Sequence, residues 1–136
     1  MGAGFLATQL DKLMLRGKMS PADTDINDLP ERTGAEIAAE LGGRMLLRYV
    51  EHPDEVGRTH PTFVCPTPYS MDEVYQWLAL PKPLSVRRWV VVLDPTGIDY
   101  VKGPKECSLG GGIEYLLPNG YESGAIASPG WAVEVR

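Results

Sequence analysis

The chain has 136 residues, with 13 basic against 18 acidic side chains for a net charge of −5, and 43% of its positions are apolar. That length fits one compact domain, and the balance is that of a folded globular chain rather than a disordered one. With no lysine/arginine block, non-specific binding of nucleic acid through phosphate neutralisation is disfavoured. The longest apolar run, Trp89–Leu93, falls far short of the ~20 residues a membrane helix needs.

Fifteen glycines and twelve prolines point to many turns and short strands instead of a helical bundle. Two cysteines, Cys65 and Cys107, are too few for a disulfide scaffold. With His52 and His60 they give no zinc spacing, so no metal is expected. The opening Met-Gly-Ala-Gly-Phe-Leu has neither a basic n-region nor a long apolar h-region, and no secretory signal is expected. Leu6 stands where an N-myristoylation signal wants Ser or Thr.

In chain order, residues 4–16 are predicted to form a helix that buries Phe5, Leu6, Leu10, Leu13 and Met14 on one face. Residues 19–30 are acidic and aperiodic, the pattern of a connecting loop or the tail of a linker. Thr33 and Glu36 have the form of a capping box, opening a helix that buries Ile37, Ala38 and Leu41 and stops at Gly42-Gly43. The period then changes to two over Arg44–Val50, a strand. A polar loop, His52–Pro61, leads to a short extended piece, Thr62–Cys65. Ser70 with Glu73 makes a second capping box, for a helix turning Val74, Trp77 and Leu78 inward and ending at Pro81 and Pro83.

Trp89–Leu93 is the strongest strand pattern, apolar on both faces and therefore central in a sheet. Asp94-Pro95-Thr96-Gly97 turns the chain into a further strand over 98–102. Another strand runs over Ile113–Leu117 after three glycines and is closed by Pro118-Asn119-Gly120, and a last one covers Trp131–Val135. Helices first, then strands with one inserted helix, make an α+β domain on an antiparallel or mixed sheet. The expected organisation is a single domain, 1–136, with a helical region over 1–43 and a β-rich core over 44–136.

Two charged residues break the local pattern. Arg48 lies mid-strand between Leu46 and Val50 on its own face, where a guanidinium without a counter-charge is costly. Its fork of donors suits a phosphate or carboxylate; a structural ion pair or a wet sheet edge would serve equally. Glu114 lies between Ile113 and Tyr115, just after glycines that let a ligand approach the backbone. A carboxylate there can stabilise a sugar cation, as glycosidic cleavage demands, or is simply a solvated strand position. Thr62, Phe63 and Tyr69 offer hydroxyls and rings that could bond and stack on a flat ligand, although Phe63 reads first as core. His60, Asp94 and Arg87-Arg88 read as loop, turn and solvated flank.

The ordered set of an arginine on the first strand (Leu46-Leu47-Arg48-Tyr49), a hydroxyl region (His60-Pro61-Thr62-Phe63) and a glutamate on a late strand (Gly112-Ile113-Glu114-Tyr115-Leu116-Leu117-Pro118) resembles the arginine–serine/threonine–glutamate pattern of the mono-ADP-ribosyltransferases. The stretch from Trp77-Leu-Ala-Leu-Pro81 to Trp131-Ala-Val-Glu134 also looks like the toxin modules at the ends of bacterial polymorphic (Rhs-type) effectors. The resemblance covers roughly residues 44–136.

It implies an ADP-ribosyltransferase-like sheet core that binds NAD as substrate, cleaves the nicotinamide–ribose bond and passes ADP-ribose to a macromolecule. Glu114 and Arg48 would be catalytic; Arg48, Thr62, Phe63, Tyr69 and Gly112 would bind NAD. Glu114→Ala is then expected to remove activity and leave the fold intact. The resemblance further implies a secreted or injected effector acting in the cytoplasm of the target cell, a cognate immunity protein as partner, and no obligate homo-oligomer.

Enzymes of this family that modify arginine carry Glu or Gln two residues before the catalytic glutamate. Gly112 holds that place, leaving a protein side chain, a nucleic-acid base or water as acceptor. Ala79-Leu80-Pro81 with Gly110–Glu114 is also similar to the NAD glycohydrolase toxins of the mycobacterial necrotising type, with glutamate in place of glutamine. A third expectation, from the acidic balance, is a non-enzymatic immunity or binding module for a basic partner.

Overall fold

A computed structural model describes residues 3–51, 57–69, 73, 89–107, 111–127 and 133–134. Helix α1 (Ala3–Met14) comes first, then strand β1 (Arg32–Thr33), helix α2 (Gly34–Glu40), and strands β2 (Leu46–Val50), β3 (Thr62–Val64), β4 (Trp89–Leu93), β5 (Tyr100–Glu106), β6 (Ile113–Leu117) and β7 (Val133–Glu134). The strands form two sheets, one ordered β1-β5-β6-β3 and one ordered β2-β4-β7, and every strand pair is antiparallel. The chain is thus α+β, with β4 central in its sheet as its two-sided apolar pattern requires. The predicted helix after Ser70, the Arg87-Arg88 pair and Trp131 lie outside the described residues, apart from Glu73, which is helical.

One core joins the two layers. Leu46, Val50, Val91 and Leu93 from the three-stranded sheet meet Val64, Val101, Ile113, Tyr115 and Leu117 from the four-stranded one, with Leu15, Ile37 and Leu41 closing the end. The predicted capping box is present: the Glu36 amide donates to the Thr33 hydroxyl and the Thr33 amide to the Glu36 carboxylate. Helix α2 packs so tightly on the turn after β4 that a Cβ on Gly34 would stand 1.8 Å from the Pro95 carbonyl oxygen. Asp94 caps that turn by accepting from the Thr96 amide and hydroxyl.

Three expectations are corrected. The leucines predicted to be the buried face of α1 point outward: Leu6, Leu10 and Leu13 are 64%, 66% and 64% exposed, and Met14 is exposed too. The inward face carries Thr8, Asp11 and Leu15 instead, because a polar network holds the helix. The Thr8 and Tyr69 hydroxyls share a hydrogen bond of 3.0 Å. Asp11 takes the Arg44 guanidinium on both oxygens and the Thr67 hydroxyl at 2.6 Å.

Residues 19–30 are a packed connection and not a linker tail. Ile26 is buried, Asp25 caps a short 3₁₀ turn, and Ser20 bridges the β5 backbone on both sides, donating to Pro104 and accepting from Glu106. The region 1–43 accordingly contributes a strand and core residues to the same domain as the rest. Strand β5 runs past the predicted end at Lys102, through Gly103-Pro104 to Glu106. The register shifts between Lys102 and Lys105, and a proline at such a bulge costs no ladder bond.

Candidate functional site

Strands β2 and β3 touch at one point. Leu47 and Cys65 exchange both backbone hydrogen bonds, at 2.7 and 2.9 Å, and beyond that bridge each strand belongs to a different sheet. The gap between the diverging edges is a cavity of about 330 Å³, walled by Leu47, Arg48 and Tyr49 on one side and Pro61–Cys65 on the other, with Arg58 and Glu114 completing it. That is the small end of ligand sites, room for a nucleotide-sized portion of a ligand.

Of the sequence-predicted residues, Arg48, Thr62, Phe63 and Glu114 line this one cavity, although they come from three strands. Arg48 is half-buried on β2 between the core residues Leu46 and Val50. Thr62 is buried, and its hydroxyl is engaged locally: it donates to the His60 carbonyl at 2.9 Å and accepts from Arg58 Nε at 3.2 Å. Phe63, read first as core, is 53% exposed, so its ring is available at the cavity wall. Residues 63, 114 and 116 share one face of the sheet, opposite the core face of Ile113, Tyr115 and Leu117.

Glu114 is fixed by a residue that the sequence reading did not single out. Lys105, directly opposite across β5 and β6, reaches Glu114 Oε1 at 3.3 Å and the Glu106 carbonyl at 2.9 Å. The lysine side chain is 4% exposed and the glutamate 20%. The pair holds the carboxylate in one orientation and ties it to the fold. Glu114→Ala removes a carboxylate from a buried ammonium and is expected to lower stability as well as activity.

Tyr69 and Gly112 are not among the cavity walls. Tyr69 stands behind Tyr49: its amide donates to the Tyr49 hydroxyl oxygen at 2.6 Å, and the rings lie 6.3 Å apart. Gly112 is buried at the head of β6, its carbonyl accepting from the Cys107 amide. Arg58 is the lining residue that sequence patterning passed over. It sits in an aperiodic loop, and only the bridge to Tyr121 brings it to the cavity.

Both cysteines are buried and free. Burial pushes the Cys65 thiol up to about 12 and the Tyr49 phenol well above its ordinary value, so both stay neutral near pH 7 and neither is an activated nucleophile or base. Charge among the described lining residues therefore rests on Arg48, Arg58 and Glu114. No group of three or more His, Cys, Asp or Glu suited to a metal occurs among the described residues. Compared with family models, curated proteins and solved structures, the chain matches none.

Proposed function

We propose that this cavity binds NAD and cleaves its nicotinamide–ribose bond, in an ADP-ribosyltransferase-like arrangement of two sheets parted at a cleft. The observation that carries the reading is the convergence of Arg48, Thr62, Phe63 and Glu114, far apart in sequence, on a single gap between β2 and β3. The polarity of the gap supports it. NAD is anionic at its diphosphate and cationic at its nicotinamide ring, and the walls carry arginines together with one carboxylate.

In the reaction, the bond between ribose C1 and the nicotinamide nitrogen breaks, the electron pair leaves with the neutral nicotinamide, and positive charge develops on the ribose. Glu114, with Oε1 held by Lys105, directs its remaining lone pairs at the ribose hydroxyls and stabilises that cation. Arg48 holds the phosphate or ribose, Phe63 stacks on a flat ring, and Thr62 keeps the β3 wall in place. The acceptor adds its lone pair to C1 and loses a proton.

On this reading the chain is a toxin module whose ADP-ribose goes to a macromolecule and whose cleft a cognate immunity protein covers. Water as acceptor is the second reading. Gly112 supplies no side chain two residues before Glu114, and its carbonyl is turned into a bond with Cys107.

Incubation with NAD labelled in the adenosine half, with and without cell lysate, tests both. Label fixed to protein or RNA is expected, and Glu114→Gln should lower turnover by roughly 10²–10³-fold. Free ADP-ribose without lysate would favour hydrolysis. Absence of nicotinamide release in both tubes would sink the NAD reading and leave a binding module.

A further inference from the structure

Two guanidiniums away from the cavity are matched by a carboxylate, Arg32 by Glu40 at 2.6 Å and Arg44 by Asp11, while Arg16 lies exposed on the surface. Arg58 differs. Among the described residues it forms no ion pair, yet it lines the cavity. Its main chain is clamped, exchanging two backbone hydrogen bonds of 2.9 Å with Tyr121, and Gly120 passes so close that a Cβ there would lie 2.1 Å from the Arg58 carbonyl oxygen. Its side chain is oriented as well: Nε donates to Thr62 Oγ1 and Nη2 meets His60 Nε2. A guanidinium has five N–H donors, and the other three carry no bond to a described residue.

We propose that Arg58 is a second anion-holding residue of this cavity, gripping a diphosphate together with Arg48. The anion grip rests on the geometry alone; its role in selecting a dinucleotide over an uncharged nucleoside rests on the NAD reading above. Two arginines on one cavity suit the charge of a diphosphate, and the open donors of Arg58 supply a planar fork for it. Glu114 in the same cavity repels a diphosphate, so the anion sits toward Arg58 and the sugar end of the ligand toward Glu114. Thr62 acts through Arg58 as a positioning residue, its hydroxyl fixing the plane of the guanidinium.

The test is calorimetric titration of the wild-type chain, Arg58→Gln and Arg58→Lys with inorganic pyrophosphate, ADP-ribose and nicotinamide riboside, alongside NAD turnover and thermal melts. Arg58→Gln is expected to weaken pyrophosphate and ADP-ribose binding roughly 10- to 100-fold, to change nicotinamide riboside binding less than about twofold, and to raise KM with kcat nearly kept. Arg58→Lys should recover part of the loss, since it restores the charge without the fork. Wild-type chain that does not bind pyrophosphate, unchanged anion binding in Arg58→Gln, or an equal loss for the uncharged nucleoside would each overturn the proposal. Arg58-dependent pyrophosphate binding without nicotinamide release would uphold the grip and overturn the NAD reading. NAD turnover with both KM and kcat unchanged in Arg58→Gln would do the reverse.

Discussion

Two regions of this molecule are built from the same materials and used differently. Between α1 and the segment after β3, an arginine, an aspartate, threonines and a tyrosine form a closed network: Arg44 donates to both oxygens of Asp11 and to the Pro66 carbonyl, Thr67 donates to Asp11, and the Thr8 and Tyr69 hydroxyls share a bond. Between β2 and β3, arginines, a threonine, a tyrosine and a glutamate line an open gap, and Arg58 spends its bonds on a hydroxyl and a ring nitrogen rather than on a carboxylate. The contrast shows that residue type does not separate a structural network from a site. What separates Arg44 from Arg58 is that the first meets a carboxylate inside the chain and the second meets a hydroxyl and a ring nitrogen.

The largest effect should come from opening the closed network. Asp11→Ala leaves Arg44 and Thr67 without their shared carboxylate and is expected to cost about 3 kcal/mol, read as a fall in Tm of roughly 10 °C. A loss below about 1 kcal/mol in denaturant titration would mean that the network adds little to the hold on α1.

Next comes the cavity residue that also holds an internal ion pair. Glu114→Ala should destabilise by about 1–3 kcal/mol because it leaves Lys105 buried beside an empty place, whereas Glu114→Gln keeps an acceptor oxygen and should cost less than half as much. Equal melts for the two variants would show that the ion pair contributes nothing to stability.

A smaller and purely functional effect is expected from Phe63→Ala. The ring is more than half exposed, so stability should stay within about 0.5 kcal/mol, while KM for NAD rises roughly tenfold through lost stacking. A destabilised variant with unchanged KM would place Phe63 with the structural residues. The smallest effect is reserved for the outward stripe of α1. Leu6→Gln, Leu10→Gln and Leu13→Gln should each shift stability by no more than about 0.5 kcal/mol in denaturant titration.

Much of the fold is legible in the sequence where local chemistry decides. The Thr33/Glu36 box starts α2 by its own hydrogen bonds, and the Trp89–Leu93 run is central because both its faces are apolar. The face of α1 was not legible. Leucine spacing identifies an apolar stripe but not whether anything covers it, and Asp11 is buried only because Arg44 and Thr67, distant in sequence, arrive to pair with it. The extension of β5 was hidden for a related reason, since Gly103-Pro104 reads as a stop and becomes a bulge only against β6 and Ser20.

The candidate site divides in the same way. Arg48 and Glu114 announce themselves by sitting where strand patterning asks for apolar side chains. Arg58 and Lys105 break no local rule. Arg58 gains its place from a loop bridged to Tyr121, and Lys105 from cross-strand register, neither of which any window of sequence contains.

The single bridge between Leu47 and Cys65 also supplies the molecule with a native clock. The Cys65 thiol sits where, among the described residues, a backbone bridge joins the two sheets, fully buried and kept protonated, its Sγ turned to the Thr67 carbonyl. Although Cys65 belongs to the cavity wall, it is only 1% exposed, so an alkylating reagent needs the structure around the seam to open before the thiol reacts at the ordinary cysteine rate. The rate of its modification under native conditions therefore measures how often the seam parts, and a ligand seated in the gap above it should slow that rate in proportion to its own occupancy.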